Sequence, residues 1–418
     1  MCSTIIMRRI LTIVAIVIVL VGVGVAVYFY FFAGSAGVEV APAGETGLPV
    51  AGGTTPTSSE ESPTVSGGTA PVTVSARLVK ISAGPVALGT AVTSKAATAS
   101  SSAPSTSLGT DETVVTYIER QSGNVFTYNS ASKIITRTSN RTVPGIQSAT
   151  WLPDASRALV RYLSGADLST INTYMLPADG GLPAQAGDGH FLAQGLADVA
   201  VSSTSIVTLA SGTNGSVATL SRVDGTQAKE LFTTPLRDAR VSFVGKGQYL
   251  VQTKAAASLA GATFVVDSSG SFARVAGPKN GLVAKASPSG KWVLVSYTRN
   301  GALQMELVDV GTGESIPLPV ATVADKCVWT ADDAAIYCGI PLNPPSDAAY
   351  PDDWYQGAVS FSDRIWRIQV DGRYAQFVLD FSSETGVPLD AVALAVDSLN
   401  ATLVFINKND GSLWAYSL

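Results

Sequence analysis

The least generic stretch of the chain is Tyr350-Pro351-Asp352-Asp353-Trp354-Tyr355-Gln356-Gly357. Two adjacent carboxylates beside an indole and two phenols could grip a sugar, a peptide or a calcium ion. Carboxylate oxygens serve as acceptors and hard-cation ligands, and aromatic rings offer apolar area with a polar tip. The bland alternative is a loop that packs its aromatic residues over a neighbouring element. Asp363, Arg364, Trp366 and Arg367 follow closely, either as ion-paired supports for this loop or as strand-edge charges. Tyr350, Asp352, Asp353, Trp354, Tyr355 and Arg364 form the candidate binding set.

Catalytic machinery is harder to find. The chain has one histidine, His190, and no G-x-S-x-G segment. A Ser-His-Asp or Cys-His arrangement would have to use His190, which sits in a turn-like stretch at 186–191 and reads as a loop residue without a catalytic role. Zinc needs at least three protein ligands, so neither a metal nor another cofactor is implied. Paired acids of a glycosidase or sialidase would have to come from several elements around one funnel. Asn409-Asp410-Gly411-Ser412-Leu413-Trp414 resembles an Asp-box faintly, and a plain hairpin turn explains it equally. Cys327 and Cys338 are symmetric about Asp332-Asp333. In an antiparallel hairpin they are directly opposed, within reach of a disulfide. Two buried free thiols are the alternative.

These residues must be held by strands. Beyond residue 71 the sequence is a succession of short Val-, Ile-, Thr-, Tyr- and Leu-rich runs separated by turn residues, with no stretch of helical period. Glycine-containing turns recur at Asp179-Gly180, Asp224-Gly225, Ser269-Gly270, Thr312-Gly313 and Asp371-Gly372, so the glycines are 45, 45, 43 and 59 residues apart. Four-stranded propeller blades recur at about 40 to 50 residues, and these turns fit the hairpin between third and fourth strands. Residues 129–132 occupy the same place earlier in the chain.

A second series interleaves: Pro153-Asp154, Gly245-Lys246-Gly247, Ser287-Pro288-Ser289-Gly290, Ala331-Asp332-Asp333 and Val396-Asp397-Ser398. Here the chain resembles the WD40-like repeats of TolB and dipeptidyl-peptidase propellers, in which such a turn joins the first two strands of a blade; Ala286-Ser287-Pro288-Ser289-Gly290-Lys291-Trp292 is the nearest match. The resemblance implies architecture and brings no activity with it. Residues 354–366, with Leu78-Val79-Lys80-Ile81, also resemble membrane-anchored propeller proteins of small-genome bacteria, a group without an established activity.

Innermost strands are expected near 86–92, 145–151, 196–201, 239–243, 282–286, 326–329 and 391–396. The fold class is thus all-β, a seven-bladed propeller over 76–418, with six or eight blades as alternatives. The last blade lacks an outer strand, and residues 77–82 can supply it and close the ring. Insertions fall at 93–111, between the first two strands of blade one, and at 341–361, between the second and third strands of blade six. The second insertion places the candidate binding set on the face that carries the inter-blade loops.

Ahead of the propeller, residues 10–32 are 23 residues without a charge, about 35 Å as a helix. Arg8 and Arg9 precede this segment and no base follows until Arg77. The positive-inside rule then puts residues 1–9 in the cytoplasm and everything after the anchor outside. A signal peptide cut near 33–36 is the alternative, although the apolar run is longer than such segments. Residues 33–75 are Gly-, Pro-, Ser- and Thr-rich and read as a disordered stalk. The net charge of −5 and the absence of a basic cluster argue against nucleic acid. The expected role is non-enzymatic: a membrane-anchored extracytoplasmic module that binds an envelope protein or glycan. The alternative is a carbohydrate-active enzyme using acids on the same face.

Overall fold

The computed structural model describes residues 76–95, 112–139, 143–179, 189–245 and 247–418. The expected tail, anchor and stalk (1–9, 10–32 and 33–75) lie outside the described residues, as does most of the first insertion. Among the described residues no helix is long and apolar enough to cross a membrane.

Seven antiparallel sheets follow one another along the chain. Their innermost strands are Ala91–Lys95, Ile146–Trp151, Leu196–Val201, Ala239–Val244, Val283–Ala286, Cys327–Trp329 and Ala391–Val396. Each blade runs outward by hairpins to its third or fourth strand, so the all-β seven-bladed reading holds. Second strands are packed by neighbouring blades on both faces and read as continuous apolar runs. Val293, Leu294 and Val295 in blade five are fully buried, as are Leu403, Val404 and Phe405 in blade seven. Outer strands such as Ile135–Arg137 are exposed throughout. Burial therefore peaks in the second strands, the innermost strands being partly exposed (Ala391–Val396 against Thr402–Asn407 in blade seven), and falls again toward the rim.

The ring closes where the first propeller strand meets the last. Leu78–Lys80 pairs with Leu413–Ser417 in the register Leu78↔Tyr416, Val79↔Ala415 and Lys80↔Trp414. The Ile81 N–H donates to the Leu413 carbonyl at 2.8 Å and the Ser417 N–H to the Arg77 carbonyl at 2.9 Å. Arg77 also donates twice to the Ser417 carbonyl and lies 4.9 Å from the Tyr416 ring centroid. Blade seven thus takes its fourth strand from the start of the propeller, and the edge that would otherwise stand open is paired.

The turn series falls where the spacing put it, save that Gly180 lies outside the described residues. Gly225, Gly270 and Gly313 join third to fourth strands with φ of 77°, 83° and 74°, the left-handed conformation that costs glycine least. In blade six it is Arg373, at φ 54°, and not Gly372, that takes this conformation. The 287–290 turn joins the first two strands of blade five, and Ser287 Oγ donates to Asp333 Oδ2 in the corresponding turn of blade six at 2.8 Å. Blade three makes this turn with Ser202, Ser203 and Thr204, which carry no Gly, Pro or Asp and give no sequence signal. The expected disulfide is present: Cys327 and Cys338 are directly opposed and bonded, with Cα atoms 4.1 Å apart.

One expectation needs correction. The first insertion begins after Lys95, because Thr93, Ser94 and Lys95 still pair with Val114, Thr113 and Glu112. His190 lies in irregular chain, and that chain runs along the outer edge of blade two: the His190 carbonyl accepts from the Met175 N–H, and the Leu192 N–H donates to the Thr173 carbonyl.

Candidate functional site

The second insertion, between Ala335–Pro341 and Asp363–Gln369 of blade six, folds into a short helix, Asp352–Gln356. Gly357 ends it in the left-handed conformation. The insertion does not stay over its own blade. Thr298 Oγ1 of blade five donates to the Tyr350 carbonyl at 2.9 Å, and the Ala257 N–H of blade four donates to Asp352 Oδ2 at 3.0 Å. At Gly281 (φ 64°) a side chain would collide with the Tyr350 carbonyl and Pro351, so the close approach of the insertion requires glycine there.

The candidate set separates into residues that hold the loop and residues that face the opening. Tyr350 is buried, its hydroxyl donating to the Pro345 carbonyl at 2.6 Å. Trp354 is buried too; its ring stacks on Phe361 with centroids 5.9 Å apart and 11° between planes, and its Nε1 donates to Asp390 Oδ2 at 2.9 Å. Asp353 turns back on its own loop and accepts from the Ala349 N–H at 2.8 Å, so the adjacent carboxylates do not act as a pair. Arg364 lies apart, ion-paired with Asp380 at 2.7 Å. Asp352 and Tyr355 remain, and both line a cleft of about 520 Å³ with Arg240, Lys254, Ala255, Asp325 and Gln356.

Arg240, Asp325 and Lys254 carry most of the charge of this cleft, and they come from blades four and six. Arg240 belongs to the innermost strand of blade four, and its Nη1 and Nη2 donate to Asp325 Oδ2 and Oδ1 at 2.9 and 3.1 Å. Tyr355 Oη donates to Asp325 Oδ2 at 2.7 Å, while the residue stays 40% exposed. Burial pushes the Asp325 carboxyl up, but Arg240, Tyr355 and Lys285 outweigh it and hold the group below the usual carboxylate range. The Tyr355 hydroxyl is raised by burial and by the Asp325 charge. Lys285, on the innermost strand of blade five, is lowered by burial and donates to the Cys327 carbonyl at 2.6 Å. Asp198, on that of blade three, is raised by burial and accepts from the Val241 N–H at 2.8 Å.

The lining therefore has two cations, two carboxylates, one exposed phenol ring and one amide. Among the described residues no group of three or more His, Cys, Asp or Glu side chains is arranged to hold a metal ion. Arg240, Lys254 and Asp325 are absent from the candidate set that the sequence suggests. A signal exists nonetheless: Arg240, Lys285 and Asp198 are charges within otherwise apolar inner strands, and Lys326 and Asp390 stand immediately before two others.

The chain matches no protein-family model and no curated protein. Its propeller has TolB-like and oligogalacturonate lyase-like structural neighbours. An oligogalacturonate lyase in complex with manganese is 8% identical, with TM-score 0.49 over 73% of this chain and 86% of that one. TolB from Acinetobacter baumannii is 12% identical, with TM-score 0.42 over 63% and 62%. The tricorn protease is 13% identical, with TM-score 0.37 over 72% and 32%. These likenesses concern the fold and assign no role to the cleft.

Proposed function

We propose that the chain is a membrane-anchored extracytoplasmic propeller that binds an uncharged polar ligand, a glycan segment of the cell envelope, at the cleft lined by Asp352 and Tyr355. The observation that carries this reading is the composition of the lining. Balanced charge gives no preference for a polyanion or a cation, whereas an exposed phenol face beside carboxylate, ammonium and amide groups suits a sugar ring, apolar on its faces and hydroxylated at its edge. The anchor and stalk expected at 10–32 and 33–75 suit a domain held clear of the membrane.

The reading is non-catalytic because of how Asp325 is used. Glycoside hydrolysis requires one carboxyl with a raised pKa and a second carboxylate across the scissile bond. Asp325 is held ionised, with both oxygens engaged by Arg240, and supplies no proton. The test is titration of the full-length chain in detergent with a panel of neutral envelope oligosaccharides, alongside Tyr355→Ala and Asp352→Ala. Loss of a stacking platform worth about 1.4 kcal/mol weakens binding about tenfold. Saturable binding without product supports the reading. Turnover abolished by Asp352→Ala means an enzyme instead, and absence of any saturable binding refutes the ligand class.

A further inference from the structure

Where blades six and seven abut, Lys326, Asp363 and Asp390 meet with no exposed side-chain surface. Lys326 ends the single 3-10 turn before the innermost strand of blade six, Asp363 opens the third strand of that blade, and Asp390 immediately precedes the innermost strand of blade seven. Lys326 Nζ lies 2.7 Å from Asp363 Oδ2 and is hydrogen-bonded to Asp390 Oδ1; it also donates to the Ala391 carbonyl at 3.0 Å. Asp390 Oδ2 accepts two further N–H groups, Trp354 Nε1 at 2.9 Å and Phe361 N at 3.0 Å; the indole N–H lies farther from Oδ1, at 3.3 Å. Asp363 Oδ2 accepts from the Ala391 N–H at 2.7 Å, while its Oδ1 has no hydrogen-bond partner among the described residues. The Trp354 and Phe361 rings cover the amine, with centroids 4.9 and 5.2 Å from Nζ.

Three full charges in a dry site are costly even when paired. We propose that Lys326 and Asp390 condense into an intramolecular amide between Nζ and Cγ, with Asp363 carrying the proton. The Lys326 ammonium first passes one proton to Asp390, giving an amine beside a neutral carboxylic acid. Nζ then attacks Cγ, forming the C–N bond, and Asp363 accepts the proton that nitrogen sheds. Asp363 returns it to Oδ1, the C–O bond breaks, and one water leaves. Nothing is oxidised or reduced, no co-reactant is consumed, and two of the three buried charges disappear.

The surroundings match each step. Held in contact, amine and carboxyl react at the high effective concentration of an intramolecular pair. Trp354 Nε1 and Phe361 N aim at Oδ2, the oxygen that bears the negative charge of the tetrahedral intermediate, as an oxyanion hole requires. Burial, opposed by Lys326 and reinforced by Asp390, raises Asp363 to about 6, a value at which a carboxyl both takes and returns a proton. In the product the amide oxygen keeps the Trp354 and Phe361 donors and the amide N–H faces Asp363, so the groups that promote the reaction also satisfy the bond it makes. The crosslink would join blades six and seven across 64 residues of sequence, independently of the disulfide within blade six and of what the cleft binds.

Mass spectrometry of the full-length chain, denatured and reduced, tests the crosslink. The expected result is a chain lighter than its sequence by one water, and a protease digest containing a branched peptide that joins the segments bearing Lys326 and Asp390. Full mass with linear peptides over both residues overturns the proposal, as does a water loss that maps to a cyclised aspartate without a branch. Asp363→Asn is expected to keep the disulfide and a cooperative melt while losing the branched peptide; formation of the branch at the wild-type level removes Asp363 from the reaction. Should that variant not fold, the digest of the unaltered chain still separates a branched from a linear product.

Discussion

Replacing Ile81 by alanine tests whether the propeller is fastened by its own first strand. Ile81 is 1% exposed and packs in the core beside Val86, Tyr117 and Leu413. Its N–H donates to the Leu413 carbonyl and its carbonyl accepts from Tyr117 Oη at 3.0 Å. Both bonds use main-chain atoms of residue 81 and survive in alanine, so the variant isolates packing. Three buried carbons are lost, about 2 to 2.5 kcal/mol at ~0.8 kcal/mol per methylene. The cavity left behind brings the cost to about 3 to 4 kcal/mol, within the range seen for such truncations. Urea denaturation of the full-length chain, followed by tryptophan fluorescence, should show a lower midpoint with an unchanged slope. A control at Val79, half-buried on the paired strand, should lose less, because fewer of its contacts are enclosed. If Ile81→Ala unfolds within about 0.5 kcal/mol of the parent, the value typical of uninvolved surface positions, the closing strand does not hold the ring and the reasoning fails.

Trp354→Phe keeps the stack on Phe361 but removes the donor to Asp390; it should cost about 1 to 3 kcal/mol in the same assay, the range for leaving a buried acceptor short of its partner. The altered loop should also weaken ligand binding, since Tyr355 is the next residue. Asp325→Asn breaks the bidentate pair with Arg240, whose side chains are 26% and 40% exposed respectively. Its cost should lie between those of exposed and buried pairs, about 2 kcal/mol at pH 7. The Asp325 carboxyl is depressed in the folded state, so its contribution is present above the unfolded value of about 3.9 and disappears as pH falls through the lower folded value. The gap between parent and Asp325→Asn in denaturation midpoint should therefore narrow below about pH 4, and a gap that widens on acidification would contradict the assignment.

Much of the architecture is legible in the sequence because propellers repeat. The near-equal spacing of Gly225, Gly270 and Gly313 marks one turn type in successive blades, and the disulfide follows from the symmetry of Cys327 and Cys338 about one turn. The closing strand is legible because the strand missing at one end matches the spare strand at the other. The site is less so. Asp352 and Asp353 are neighbours in sequence but point to different partners, since one lies over blade four and the other over its own loop. Trp354 has the residue type of a ligand platform and is instead buried under the loop. Its partner Asp390 is 36 residues away, and Arg240 lies 85 residues from Asp325. Such contacts are set by which blades the ring makes adjacent to the insertion, and no local periodicity encodes that. The charges in inner strands are the available clue, since an enclosed charge needs a partner.

Hydrogen–deuterium exchange of the full-length chain, with and without a saturating neutral oligosaccharide, tests the proposed cleft most directly. Protection is predicted at 254–257, 324–326 and 352–356, with the turns at 287–290 and 331–333 unchanged. Protection confined to those turns, or to the outer strands at the rim, would put the ligand elsewhere and contradict the account.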